Sequence, residues 1–167
     1  MANSAPVCRV IVVLLISGSI GVSSGAQPRH PIYLQYDGFV RNPGASLTLS
    51  FGYYNLNHVD VTIALGDDNL FLGSDPGRAQ PTVFLAGRHR FACVMVVPDD
   101  FEEDLRWQIR FGGLTSTTTD RIMDPLYALE DASALRVVEG VDPAAVPTGV
   151  CLDRDESSEE PARRGGR

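Results

Sequence analysis

The chain has 167 residues, 44% of them hydrophobic, with 14 basic and 21 acidic side chains and a formal net charge of −7. That length suits one domain with a real core and is too short for two. The acidic balance disfavours nucleic acid and anionic membrane surfaces as partners, because neutralising phosphate requires clustered cations.

Met1 to Ala26 has the anatomy of a secretory signal. Arg9 precedes the apolar run Val10 to Val22, and Ser24-Gly25-Ala26 places cleavage before Gln27. A bilayer-spanning helix needs about 20 apolar residues, more than this run offers. Cys8 stands ahead of the run, which argues against lipid attachment at a mature N-terminal cysteine. The expected product is a secreted or periplasmic protein with no stable membrane anchor after cleavage.

The body is written in period two. Ile32 to Val40 reads as a strand whose phase slips at Asp37-Gly38, the mark of a bulge. Arg41-Asn42-Pro43-Gly44 turns the chain into Ser46 to Asn55, where Leu47, Leu49, Phe51 and Tyr53 alternate with Ser46, Thr48 and Ser50. That pattern predicts a half-buried strand with its polar side in water. Val59, Val61, Ile63 and Leu65 predict another, followed by a long loop from Gly66 to Pro81 pinned by Leu70 and Phe71. Thr82 to Pro98 predicts two strands joined by a Gly-containing turn, with Phe91, Cys93, Met95 and Val97 facing inward. Leu105, Trp107, Ile109 and Phe111 alternate with Arg106, Gln108 and Arg110, so that strand has one face in a core and one in water. Gly112-Gly113 makes a tight hairpin into the edge strand Leu114 to Thr119, and Pro125 to Leu135 predicts a short helix. Turns every 8 to 12 residues and an inward Trp describe an all-β chain, an antiparallel β-sandwich of about seven strands.

After about Asp131 the composition turns rich in Pro, Gly and charge, predicting a mostly irregular tail. The organisation is therefore a signal peptide (1–26), a β-sandwich domain (27–130), an extension (131–152) that a disulfide at Cys151 would tie back so that Ala134 to Leu152 packs along the sandwich, and a disordered acidic and Arg-rich terminal segment (153–167). Cys93 and Cys151 survive cleavage, an even count in a disulfide-permissive compartment. A bridge between them would close a loop of roughly 58 residues, worth about 4 kcal/mol in chain entropy. The alternative is a buried free thiol at Cys93 and an unrelated tail residue at Cys151.

Little in the residues supports catalysis. No Gly-x-Ser-x-Gly elbow follows the signal, and His30, His58 and His89 fall in separate elements, so no enzyme is expected. His58 and Asp60 would share a strand face, but two ligands do not make a zinc site. Asp67, Asp68, Asn69 and Asp75 are oxygen donors of the kind calcium takes; they lack the EF-hand spacing, and such residues favour turns in any case. No cofactor is expected, calcium being the one alternative. The acidic run Asp99 to Asp104 reads as a solvated loop anchored by Phe101. Tyr53 and Tyr54 are neighbours in a strand and point opposite ways, so one faces outward and is a candidate for stacking on a sugar or a partner. The threonine-rich edge from Leu114 to Thr119 offers a place for strand addition.

Asn42-Pro43-Gly44, FGYYNLN (51–57), Gln80-Pro81-Thr82 with Phe84, the Val94 to Pro98 run, and Leu105 with Trp107 resemble a family of exported bacterial β-sandwich proteins of unknown activity. The similarity covers roughly Ile32 to Leu129. It implies an immunoglobulin-like or fibronectin-like fold and an envelope location, with no catalytic residues to carry over. Ala64 and Ala86 stand where the pattern implies proline, and Asp75 to Arg78 departs from it. The expectation is an exported, non-catalytic module that contacts an envelope protein or a glycan. A carbohydrate-binding or calcium-assisted adhesion domain is the alternative, and a small hydrolase the third.

Overall fold

A computed structural model describes residues 30–73, 75–101 and 104–152. The signal segment and the terminal segment 153–167 lie outside the described residues. Among the described residues eight strands are present: β1 (Ile32–Asn42), β2 (Ser46–Asn55), β3 (Val61–Thr62), β4 (Asn69–Leu72), β5 (Val83–Phe84), β6 (Gly87–Pro98), β7 (Arg106–Phe111) and β8 (Leu114–Thr117). They form three antiparallel sheets, ordered β1-β2-β6, β3-β5 and β4-β7-β8. A 3-10 turn (Pro125–Tyr127) and one helix, α1 (Asp131–Val138), follow. The chain is all-β.

One core joins all three sheets. Leu47, Leu49, Phe51 and Tyr53 project inward from β2, each no more than 1% exposed. From β7 come Trp107 and Ile109, as their alternation with Arg106, Gln108 and Arg110 predicted. Between them runs a chain of aromatic contacts: Phe51 meets Phe71 edge-on at 5.4 Å, Phe71 stacks on Trp107 at 5.8 Å, and Phe84 bridges Trp107 and Tyr53. Fully burying such side chains stabilises the fold by about 2 kcal/mol each. Asn69 makes the polar centre of this cluster. Its Oδ1 accepts from the Trp107 indole N–H at 2.9 Å, and its Nδ2 donates to the carbonyls of Ile63 and Pro81.

Several expectations need correction. Thr82 to Pro98 is no hairpin: β5 pairs with β3 and β6 with β2, so the Ala86-Gly87 corner carries the chain from one sheet to another. The strand expected over 59–65 shrinks to Val61–Thr62, because Val59 and Leu65 are 41% and 48% exposed and only Val61 and Ile63 reach the core. The Gly66 to Pro81 loop contains β4, turned back by reciprocal bonds between Gly66 and Asn69 and paired with β7. The expected helix over 125–135 divides into the 3-10 turn and α1, which begins six residues later. The Gly112-Gly113 hairpin holds, with both glycines at positive φ (61° and 78°) as a primed turn demands.

The extension packs along the sheet, as a bridge at Cys151 required, and what departs from expectation is the polar side of β2. Thr48 and Ser50, expected in water, are 0% exposed. What covers them is residues 128–152. The chain meets β1 where Leu129 N–H donates to the Phe39 carbonyl, and passes through α1, whose Val137 is buried against Phe91 and Val94. It ends along β6, where Gly149 N–H donates to Val96 and Leu152 N–H to Val94 at 2.7 and 2.8 Å. Cys151 and Cys93 are disulfide-bonded, their Cα atoms 4.9 Å apart. Of the inward stripe expected in β6, Cys93, Met95 and Val97 keep their place. Phe91 does not: its φ of 61°, inside an irregularity opposite Gly52, turns it onto the outer side beneath the extension.

Candidate functional site

The two irregular points in the first sheet lie side by side. Asp37 is the extra residue of β1, inserted between Tyr36 and Gly38, as the phase slip predicted. Across β2, residues 90–92 of β6 bulge opposite Gly52. The Asp37 carboxylate reaches over that glycine and accepts from Phe91 N–H at 2.8 Å and Arg90 Nε at 3.0 Å. Only a glycine permits this, since a Cβ at position 52 would sit 2.5 Å from Asp37 Oδ2 and 2.6 Å from the His89 carbonyl. Burial pushes the Asp37 carboxyl above its ordinary value; the Phe91 and Arg90 bonds, with the charges of Arg90 and Arg88, pull it partly back.

This line of bulges divides the outer face in two. The half toward Pro98 lies under the extension. On the other half, Tyr33 of β1 stands directly opposite Tyr54 of β2, and Tyr54 directly opposite Arg88 of β6. The two tyrosines are 45% and 41% exposed. The next row holds Gln35, Gly52 and Arg90. Beside it opens a groove of about 470 Å³ lined by Gln35, Asp37, Arg88, Arg90, Thr117 and Tyr127 among others. Tyr36 forms part of the same wall. Its hydroxyl is buried without a partner among the described residues, and burial, with Tyr127 nearby, pushes its pKa up.

The residues expected to carry function distribute unevenly. Tyr54 is the outward member of its pair; Tyr53 is 1% exposed, stacked on His89 and accepting from Leu85 N–H at 3.0 Å. Of the calcium candidates, Asp67 and Asp68 sit exposed at a turn, Asn69 is occupied by Trp107 and two carbonyls, and Asp75 accepts from Gly77 N–H at 3.1 Å. Among the described residues no three His, Cys, Asp or Glu side chains gather as metal ligands. His58 is exposed in a loop, and Asp60 accepts from Ala86 N–H. In the acidic run Asp99, Asp100 and Asp104 are exposed, with Phe101 packed on the core. A bond from Arg106 holds Asp104 below the usual carboxylate range. Glu102 and Glu103 lie outside the described residues. Ser116 of the threonine-rich edge is turned to β1, its Oγ accepting from Leu34 N–H at 2.8 Å.

Arg88, Arg90 and Gln35 were not singled out in the sequence, and Asp37 was read there only as the place of a bulge. The available signal was Gly52 itself, a glycine inside a strand between aromatic residues, which marks a close approach of other atoms. Among the described residues no helix is long and apolar enough to cross a membrane. Compared with protein-family models, curated proteins and solved structures, the chain finds no match.

Proposed function

We propose that this chain is an exported, non-catalytic interaction module of the bacterial envelope, and that its contact surface is the open half of the outer face around Tyr33 and Tyr54. The carrying observation is a contrast within one sheet: the extension caps one half of the face, while the other keeps two exposed tyrosines side by side next to an arginine. Tyrosine and arginine are the side chains that most often anchor protein contacts. Export rests on the Met1 to Ala26 pattern, and a Cys93–Cys151 bridge fits an oxidising compartment. The finer description of the fold as an immunoglobulin-like sandwich rests on two three-stranded sheets facing one core and on the family resemblance.

The test is photocrosslinking in intact cells from position 54, with the exposed Arg110 of β7 as the control position. A discrete adduct from position 54 and none from position 110 supports the reading. No adduct from position 54, or turnover of ester or glycoside substrates by the purified protein, overturns it. The tyrosine pair also favours a second reading in which the partner is a glycan, since such rings stack on sugar faces. Neither reading needs a cofactor; a calcium-assisted version would raise the melting temperature in millimolar calcium.

A further inference from the structure

We propose that the groove beside Tyr33 and Tyr54 takes an acidic glycan, whose pyranose rings lie on the tyrosines and whose carboxylate or sulfate groups meet Arg88 and Arg90. This rests on the reading of the open face as a contact surface and names the ligand class.

Arg90 is held in place before any ligand arrives. Its Nε is fixed on Asp37 at 3.0 Å, and its guanidinium carbon lies 4.5 Å from the centre of the Phe91 ring. The side chain is still 39% exposed, and its two terminal nitrogens have no partner among the described residues. A guanidinium anchored on one edge and backed by a ring loses little freedom when its other edge takes an anion. Arg88 is exposed and makes no ion pair among the described residues. The groove sets these two arginines against one carboxylate, Asp37, already occupied by its own bonds, within a chain of net charge −7. A local positive excess on an acidic protein selects anions at this point. Gln35 and Thr117 add an amide and a hydroxyl to the wall, groups that hydroxyl-rich ligands can bond. The acidic remainder of the surface opposes a duplex nucleic acid, with one charge per about 1.7 Å, so a polymer of sugar rings with at most one charge per ring fits better.

The experiment titrates the full exported chain with a hexamer of galacturonic acid and with a neutral glucose hexamer, by calorimetry at low salt. The acidic hexamer is expected to bind and the neutral one to bind at least tenfold more weakly, with the difference shrinking in about 0.5 M salt. Arg88→Gln should weaken the acidic hexamer about tenfold. Tyr54→Ala should weaken it about fivefold, and Arg110→Gln should leave it unchanged. Both Arg88 and Tyr54 are exposed, and unchanged melting temperatures confirm that the variants fold. Equal binding of the two hexamers, no binding of either, full affinity in Arg88→Gln, or an equal loss in Arg110→Gln each overturns the proposal. Should both hexamers fail while position 54 still crosslinks to a protein in cells, the glycan is wrong and the contact surface stands; failure of both experiments removes both.

Discussion

At Gly52 a single absent methyl group organises three strands. The glycine lets the Asp37 carboxylate cross β2 and bond to the bulge in β6, which orients Arg90 and turns Phe91 outward. Gly52→Ala should cost about 2 kcal/mol or more in urea unfolding, because its Cβ meets backbone atoms of His89 and Arg90 that cannot swing aside. Asp37 predicts a pH dependence. Its folded pKa is raised above the ordinary 3.8, so its contribution is fully present below that value and is lost as pH rises through the raised folded value. The stability difference between wild type and Asp37→Asn should therefore shift against wild type from pH 3 to pH 7 in thermal melts; a difference that moves the other way would show the carboxylate to be stabilised by ionisation. Asn69 is the third such residue. Asn69→Ala strands the Trp107 N–H and two carbonyls in the core, for an expected loss of about 3 kcal/mol in the same urea assay.

At the scale of elements, strands with strong alternation were legible and their pairing was not. β2 and β7 appear where Leu47, Leu49, Phe51, Trp107 and Ile109 placed them. The polar side of β2 misled, since Thr48 and Ser50 are covered by a segment beginning some eighty residues later. Small hydroxyl residues suit a surface lying under a second layer as well as one in water. The extension depends on the cystine that ends it. Non-reducing peptide mapping should recover the Cys93 and Cys151 peptides joined, and reduction should lower stability by about 4 kcal/mol. Alkylation of both thiols in the folded, unreduced protein would remove that bridge from the account.

Across the whole molecule, the described fold is a set of small antiparallel sheets sharing one core, with a second, smaller apolar cluster between the first sheet and the extension. Truncation after Glu130 should expose Phe91 and Val94 and leave β6 without its bonds to residues 149–152. The expected result is lower solubility and self-association in size-exclusion chromatography; a monomeric truncated chain with unchanged melting temperature would mean that the second cluster contributes little. By itself, the sequence determined the strand character of the chain, the phase slip at Asp37 and the tight turn at Gly112-Gly113, because alternation, bulges and turns are set by neighbouring residues. Cysteine count raised the Cys93–Cys151 pairing as one of two possibilities. Only the tertiary structure decided that Tyr33 meets Tyr54, that Arg88 and Arg90 share a groove with Gln35, and that Phe91 faces the extension. Those neighbours lie up to 55 residues apart in the chain, and their meeting depends on strand register and on the second bulge, in β6 opposite Gly52, which no local pattern encodes.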